Sequence, residues 1–222
     1  MTAFATWLNT AFAGFDHALL SFYHTLAEHA GAVLTPFLEI ISLFGETGLF
    51  CIILGLVCTL FAKTRKVGVC ILLSVAVGAV LTNLTIKDLV ARPRPFQSGS
   101  VEFFSWWQFI GAPKVSEFSF PSGHTTAAVA GMTALCFFSK KKLGIIIPAV
   151  AYALLTGVSR NYLMVHYPSD VLAGFVVGFI AALIAFALTA LIWRALEKKQ
   201  SAGFSRFMLE SDIRNCFSKK NA

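Results

Sequence analysis

Three short stretches of this chain concentrate residues able to bind anions and move protons. The first, residues 87–95, carries Lys87, Arg92 and Arg94. The second, Pro121-Ser122-Gly123-His124, opens a long uncharged run, and the third places Ser159 and Arg160 ahead of His166 and Asp170. Each has a plain structural reading. Lys87 and Arg94 suit snorkelling anchors at a helix end. Ser122 after a proline suits an N-cap. His166 and Asp170, at i and i+4, suit a satisfied pair on one helix face. Each also has a chemical reading. Lys87 and Arg94 are spaced two helical turns apart and would share a face unless the prolines break the second turn. The free N–H groups of a helix beginning at Ser122 form an anion site, and Gly123 lets a phosphate come close. A carboxylate beside His166 would fix its tautomer and raise its basicity. Lys87, Arg94 and Arg160 have no accompanying cluster of acids, so they call for a polyanionic ligand, and phosphate fits the number of donors.

The elements that must position these residues are apolar. The chain has 222 residues, 57% hydrophobic and only 13% charged, with a mean hydropathy of +0.74. A soluble domain carries roughly a quarter charged residues. Disorder needs low hydrophobicity and is excluded. Five cysteines are too few and odd for a disulfide scaffold. The composition predicts an all-α, polytopic membrane helical bundle rather than a soluble enzyme. Five mainly apolar runs lack Asp, Glu, Lys and Arg: 47–62, 67–86, 118–139, 143–159 and 171–193. A bilayer core needs about 20 helical residues, so the second, third and fifth qualify outright and the others sit at the short limit. Pro148 is expected to bend the fourth.

Basic residues set the orientation. Lys63, Arg65 and Lys66, then Lys140, Lys141 and Lys142, then the basic residues from Arg194 onward fall on one side if each run crosses once. The positive-inside rule makes that side cytoplasmic, which puts the three polar stretches together on the extracytoplasmic face. The first 62 residues hold no Lys or Arg, so no cleaved signal peptide is expected, and five crossings put the N-terminus outside. Three regions are expected. Residues 1–46 are read as two or three amphipathic helices at the outer interface; the rival is a sixth span around 18–44. Residues 47–194 form the membrane core. Residues 195–222 form a basic cytoplasmic tail, read as a frayed terminus, with a basic helix on anionic lipid as the rival.

The three stretches also resemble a known signature. Residues 87–95 match K-x6-R-P, residues 121–124 match P-S-G-H, and residues 159–170 match S-R-x5-H-x3-D. Together, in this order, they resemble the type 2 phosphatidic acid phosphatase superfamily, which also contains vanadium haloperoxidases. The resemblance implies a metal-independent phosphatase, with no cofactor, working through a phosphohistidine. It makes His166 the nucleophile, Asp170 its orienting partner and His124 the acid for the leaving group. Lys87, Arg94, Ser122, Gly123 and Arg160 would hold the phosphoryl oxygens. Arg92 is off the motif position and has at most a supporting role. The chemistry is physically sound, since phosphoryl transfer is mainly positioning and electrostatics, and fixed cations can stand in for a metal.

Expected substrates are lipid phosphates or diphosphates in the bilayer: phosphatidylglycerophosphate, undecaprenyl diphosphate or phosphatidic acid. A phosphotransferase passing the group to an alcohol and a silent lipid-binding module are the rivals. A serine hydrolase built on Ser122 leaves the cations unexplained, and His124, His166 and Asp170 lack a further metal ligand. A nucleic-acid partner is not expected, because the basic residues sit at span ends. Nothing in the sequence sets the oligomeric state. Cys51, Cys58, Cys70 and Cys136 read as small packing residues, with Cys216 in the tail. Gly174 and Gly178 read as a close helix contact. Trp106 and Trp107 read as headgroup-level residues, and His17, His24 and His29 as surface polarity.

Overall fold

A computed structural model describes residues 1–115, 118–140 and 142–214. Lys141, Cys216 and Phe217 fall outside the described residues. Those residues form an all-helical structure: α1 (Ala3–Ala11), α2 (Ala13–Gly45), α3 (Leu49–Thr59), α4 (Arg65–Leu81), α5 (Lys87–Val90), α6 (Val101–Phe109), α7 (Gly123–Phe137), α8 (Leu143–Tyr162), α9 (Pro168–Lys198) and α10 (Gly203–Glu210). Four stretches are long and apolar enough to cross a membrane: Ala13–Thr59, Arg65–Gln97, Leu143–Tyr162 and Pro168–Lys198.

Two differences from the expected runs have local causes. The 118–139 run yields a helix of only 15 residues, because Ser122 caps it and its side chain accepts from the Thr125 N–H. Phe118–Pro121 are spent on the approach. At 1.5 Å per residue α7 is about 22 Å long, shorter than a bilayer core of about 30 Å. The 47–62 run yields α3, 11 residues long. Thr47 and Gly48 take left-handed backbone angles, φ 49° and 76°, which turn the chain sharply after α2.

α7 is the central element, packed against α4, α8 and α9. Its small side chains, Ala127, Ala128, Ala130, Gly131 and Ala134, are all buried. Small faces are what close packing in a membrane requires, because lipid offers no hydrophobic drive between helices. The glycine pair of α9 serves this contact. A Cβ at Gly174 would lie 2.9 Å from the Ser122 carbonyl oxygen, and one at Gly178 would lie 2.7 Å from that of Thr126. The other face of α9 exposes Leu172, Val176, Phe179, Leu183 and Phe186. Cys51 and Cys70 are buried among apolar neighbours.

The N-terminal segment forms two helices, α1 and α2. α2 runs unbroken for 33 residues through Pro36. Near its start Asp16 bonds to Ser169, and near its end Ser42 accepts from Arg160. α6 lies against it: Trp106 is buried and stacks on His24, ring centroids 5.1 Å apart, and His17 meets Glu102 at 2.9 Å. Trp106 and His24 are therefore packing residues rather than free surface groups. Trp107 stacks on Phe96 at 4.4 Å. The described part of the tail, up to residue 214, packs against the bundle. The Arg65 guanidinium donates to the carbonyls of Thr59, Phe207, Met208 and Ser211, and Asp212 accepts from the Ala62 N–H, so α10 is fastened to the α3–α4 turn.

Candidate active site

The site forms where four helix ends meet. α4 does not end as a plain α-helix. A π-turn over Thr82–Ile86 carries it into α5, and Lys87 is the first residue of that short helix. Ala91 then takes a left-handed φ of 49°, and Arg94 is extended, φ −73° and ψ 162°. Lys87 and Arg94 thus reach the same cavity from a helix and from an extended loop. The helical register expected for the pair is broken, as the prolines require.

The cavity has a volume of about 400 Å³, and Lys87, Arg94, Gly123, His124, Arg160 and His166 all line it. All three cationic side chains are buried, and Arg160 also donates to Ser42. Gly123 leaves the α7 terminus open: a Cβ there would lie 3.1 Å from Asn83 Oδ1 and 3.8 Å from Lys87 Nζ. Buried charge in this density, with free helix-end N–H groups, is an anion cradle.

Two expected residues sit behind the cavity instead of lining it. The Ser122 hydroxyl caps α7 and accepts from Thr125 Oγ1 at 2.9 Å, and its N–H donates to the Asp170 carbonyl at 3.1 Å. Asp170 lies 3.6 Å from His166 Nδ1, too long for a hydrogen bond. Ser119 stands between them. Its Oγ is 3.4 Å from His166 Nδ1 and donates to Asp170 Oδ2 at 2.5 Å. Asp170 also accepts from the Tyr167 N–H at 2.9 Å and from Arg92 at 2.5 Å.

His166 is held with one nitrogen toward the cavity. Arg94 lies 3.2 Å from Nε2 and donates to the Val165 carbonyl at 2.7 Å. A guanidinium can only donate, so Nε2 carries the lone pair and Nδ1 the proton, directed at Ser119. Burial, and then the positive charges of Arg94, Arg160 and Lys87, hold the imidazole pKa well below its ordinary value. The ring is therefore neutral at neutral pH.

Sequence reasoning missed Ser119, Asn83 and Asp16; Arg92, given at most a supporting role, stands behind the cavity on Asp170. Arg92 is fully buried and stacks over the Tyr167 ring at 3.9 Å. Asp16 had a readable signal, since an acid inside an apolar helix is costly and is kept for a reason. Ser119 had none, because its part depends on Asp170 arriving from α9. Glu46 and Lys114 also line the cavity. Among the described residues, no group of three or more His, Cys, Asp or Glu is placed to hold a metal ion.

The bundle of short and long apolar helices that carries this site has relatives among known proteins. The chain belongs to the PAP2 superfamily, whose pattern matches residues 67–194. It is 33% identical over 119 residues to an undecaprenyl-diphosphatase of Sulfolobus acidocaldarius, covering 54% of this chain and 53% of that protein. It is 34% identical over 108 residues to phosphatidylglycerophosphatase B of Bacillus subtilis, covering 45% of this chain and 47% of that protein. The chain thus matches about half the length of these curated relatives. The crystal structure of a transmembrane PAP2 type phosphatidylglycerolphosphate phosphatase from Bacillus subtilis aligns with a TM-score of 0.63 at 25% identity, over 85% of this chain and 92% of that one.

Proposed function

We propose that the chain is an integral-membrane lipid phosphatase that hydrolyses lipid phosphates or diphosphates without a metal, through a phosphohistidine, at the extracytoplasmic face. The observation that carries this reading is the convergence of Lys87, Arg94, Arg160, the α7 terminus and two histidines on one cavity of about 400 Å³. His166 Nε2 attacks phosphorus, and the bond from phosphorus to the lipid oxygen breaks. His124, which the negative charge of the bound phosphate draws to its protonated form, gives its proton to that oxygen. His124 then takes a proton from water, whose oxygen attacks the phosphohistidine and releases inorganic phosphate. The three cations and the Gly123 terminus bind the equatorial oxygens as charge spreads over them. Ser122 serves by holding the α7 terminus. Asp170 steadies the charge on His166 through Ser119.

Val75, Gly78, Ala79 and Ala127 also line the cavity, an apolar lining that suits part of an acyl or prenyl chain. Phosphatidylglycerophosphate, undecaprenyl diphosphate and phosphatidic acid are the substrates to compare. Orientation follows from charge. Arg65 and the docked tail lie at one end of α4 and Lys87 beyond the other, about 33 Å away along the helical path, and the basic end belongs in the cytoplasm. Both ends of α2 bond to residues at the site end, Ser169 and Arg160. The last turn also bonds to Tyr152, halfway along α8, so these contacts support the start of α2 lying at the outer face with the N-terminus outside.

The test is phosphate release by purified protein in vesicles from a panel of lipid phosphates and diphosphates. Turnover is expected in EDTA, with inhibition by vanadate, and His166→Ala is expected to lose at least about a thousandfold in kcat. Strict magnesium dependence, or appreciable turnover by folded His166→Ala, would overturn the mechanism.

A further inference from the structure

The catalytic pair is backed by a buried charge network that reaches outside the stretch matching the family. Arg92 donates from Nε to Asn9 Oδ1 at 2.8 Å, from Nη1 to Ser169 Oγ at 2.8 Å and Asp170 Oδ1 at 2.5 Å, and from Nη2 to Asp16 Oδ2 at 2.8 Å. Asp16 in turn accepts from the Ser169 N–H at 2.8 Å and from the Ser169 hydroxyl at 2.7 Å. Asp16 is 3% exposed and Arg92 fully buried. A buried guanidinium with a missing partner is costly, so this arrangement is held only while every partner is present. Asn9 lies on α1 and Asp16 on α2, whereas the family match begins at residue 67.

We propose that Asp16 is a positioning residue of the active site, acting through Arg92 and Ser169 to fix Asp170 and thereby His166. The inference rests on His166 being the nucleophile. Its logic is geometric and electrostatic. Asp16 caps the start of α9 from a distant helix, accepting the Ser169 N–H that the helix itself leaves unpaired. That locks the first turn, where Asp170 stands. Asp16 also shares the charge of Arg92. Without it, the guanidinium would turn its whole charge on Asp170, and the carboxylate would support the developing imidazolium less well. The N-terminal helices are therefore part of the catalytic machinery rather than an appendage to it.

A second cavity supplies a direct test. It has a volume of about 340 Å³ and is lined by Asn9, Ala13, Asp16, His17, Arg92 and Tyr167 among others. A small carboxylate can therefore reach the place Asp16 vacates. In the full chain, Asp16→Ala is expected to lose about ten- to hundredfold in kcat with KM nearly unchanged, the usual scale for a supporting partner. Added formate is expected to restore part of that loss. Asp16→Asn, which keeps the outline and removes the charge, is expected to fall below wild type in kcat as well. Wild-type kcat in folded Asp16→Ala would overturn the proposal, as would a loss that formate leaves untouched in protein melting at the wild-type temperature. A second readout needs no turnover. In ¹⁵N-histidine-labelled protein, Asp16→Ala is expected to shift the ring nitrogens of His166, assigned by loss of their signals in His166→Gln. Unchanged ring signals would overturn the proposal. A wild-type protein that releases phosphate from no lipid phosphate would remove the phosphatase reading, and the ring signals would still decide the place of Asp16.

Discussion

At His166 the chemistry turns on which ring nitrogen faces the cavity. Arg94 fixes Nε2 as the acceptor, and Ser119 receives the Nδ1 proton across 3.4 Å. The serine is thus the link through which Asp170 acts. Ser119→Ala leaves a buried carboxylate short of one donor and removes the hydroxyl that faces His166 Nδ1. Losing a hydrogen bond to a charged group costs about 1.5–3 kcal/mol, so kcat is expected to fall about ten- to hundredfold, measured as initial rates on one lipid phosphate. The depressed pKa of His166 gives a second prediction. The nucleophile stays unprotonated below the ordinary histidine pKa of about 6.5, so its acid limb in kcat/KM is expected below that value. Stability follows the same group. Below about pH 6.5 the unfolded chain takes up a proton at this ring that the folded one refuses. Stability from this group is therefore complete above that pH and declines as pH falls further. An acid limb at or above pH 7 assigned to His166 would contradict the burial argument.

Among the elements, α7 and α9 matter most, because their contact holds two parts of the site together. α7 begins at the phosphate cradle, and α9 begins at the Asp170 turn. They touch where glycine removes the side chain: a Cβ at Gly178 would meet Thr126 O at 2.7 Å and Val129 Cβ at 2.8 Å. Gly178→Ala is expected to destabilise by about 1–3 kcal/mol, the scale of overpacking, and to lower kcat by displacing Asp170 from His166. Gly144→Ala, where nothing lies within 4 Å, is the control and is expected to melt with the wild type. Thermal melts in detergent, read beside phosphate release, check both. The π-turn of Thr82–Ile86 belongs to the same scale. It adds a residue to one turn of the helix, and Thr82 Oγ1 meets Thr126 Oγ1 at 3.2 Å, tying the approach of Lys87 to α7.

Across the whole molecule, charge and polarity separate along α4. The basic turn around Arg65 and the docked tail occupy one end, and the cavity lined by Lys87, Arg94 and Arg160 occupies the other. A reporter fused after Ala222 is expected in the cytoplasm. A cysteine introduced at the exposed position Val101 is expected to react with an impermeant thiol reagent added outside intact cells. Labelling at Val101 only after the membrane is opened would reverse the orientation and put the reaction on the cytoplasmic leaflet.

The candidate residues that line the cavity were legible because their signals are local. A Pro-Ser-Gly start predicts a capped helix with free N–H groups, since capping needs only neighbours in sequence. Long uncharged runs predict membrane helices, since backbone groups in lipid must bond within their own segment. Spacing, however, predicted a direct His166–Asp170 contact, whereas Ser119 from the preceding loop stands between them. Length predicted a full span at 118–139, whereas the cap shortened the helix. Asp16 and Arg92 lie far apart in the chain, and nothing local joins them. Their pairing arises only when α2 docks across the site end of the bundle and two buried charges, both costly alone, satisfy each other. Sequence determined the candidate groups and the apolar helices that carry them; tertiary docking decided which of those groups touch.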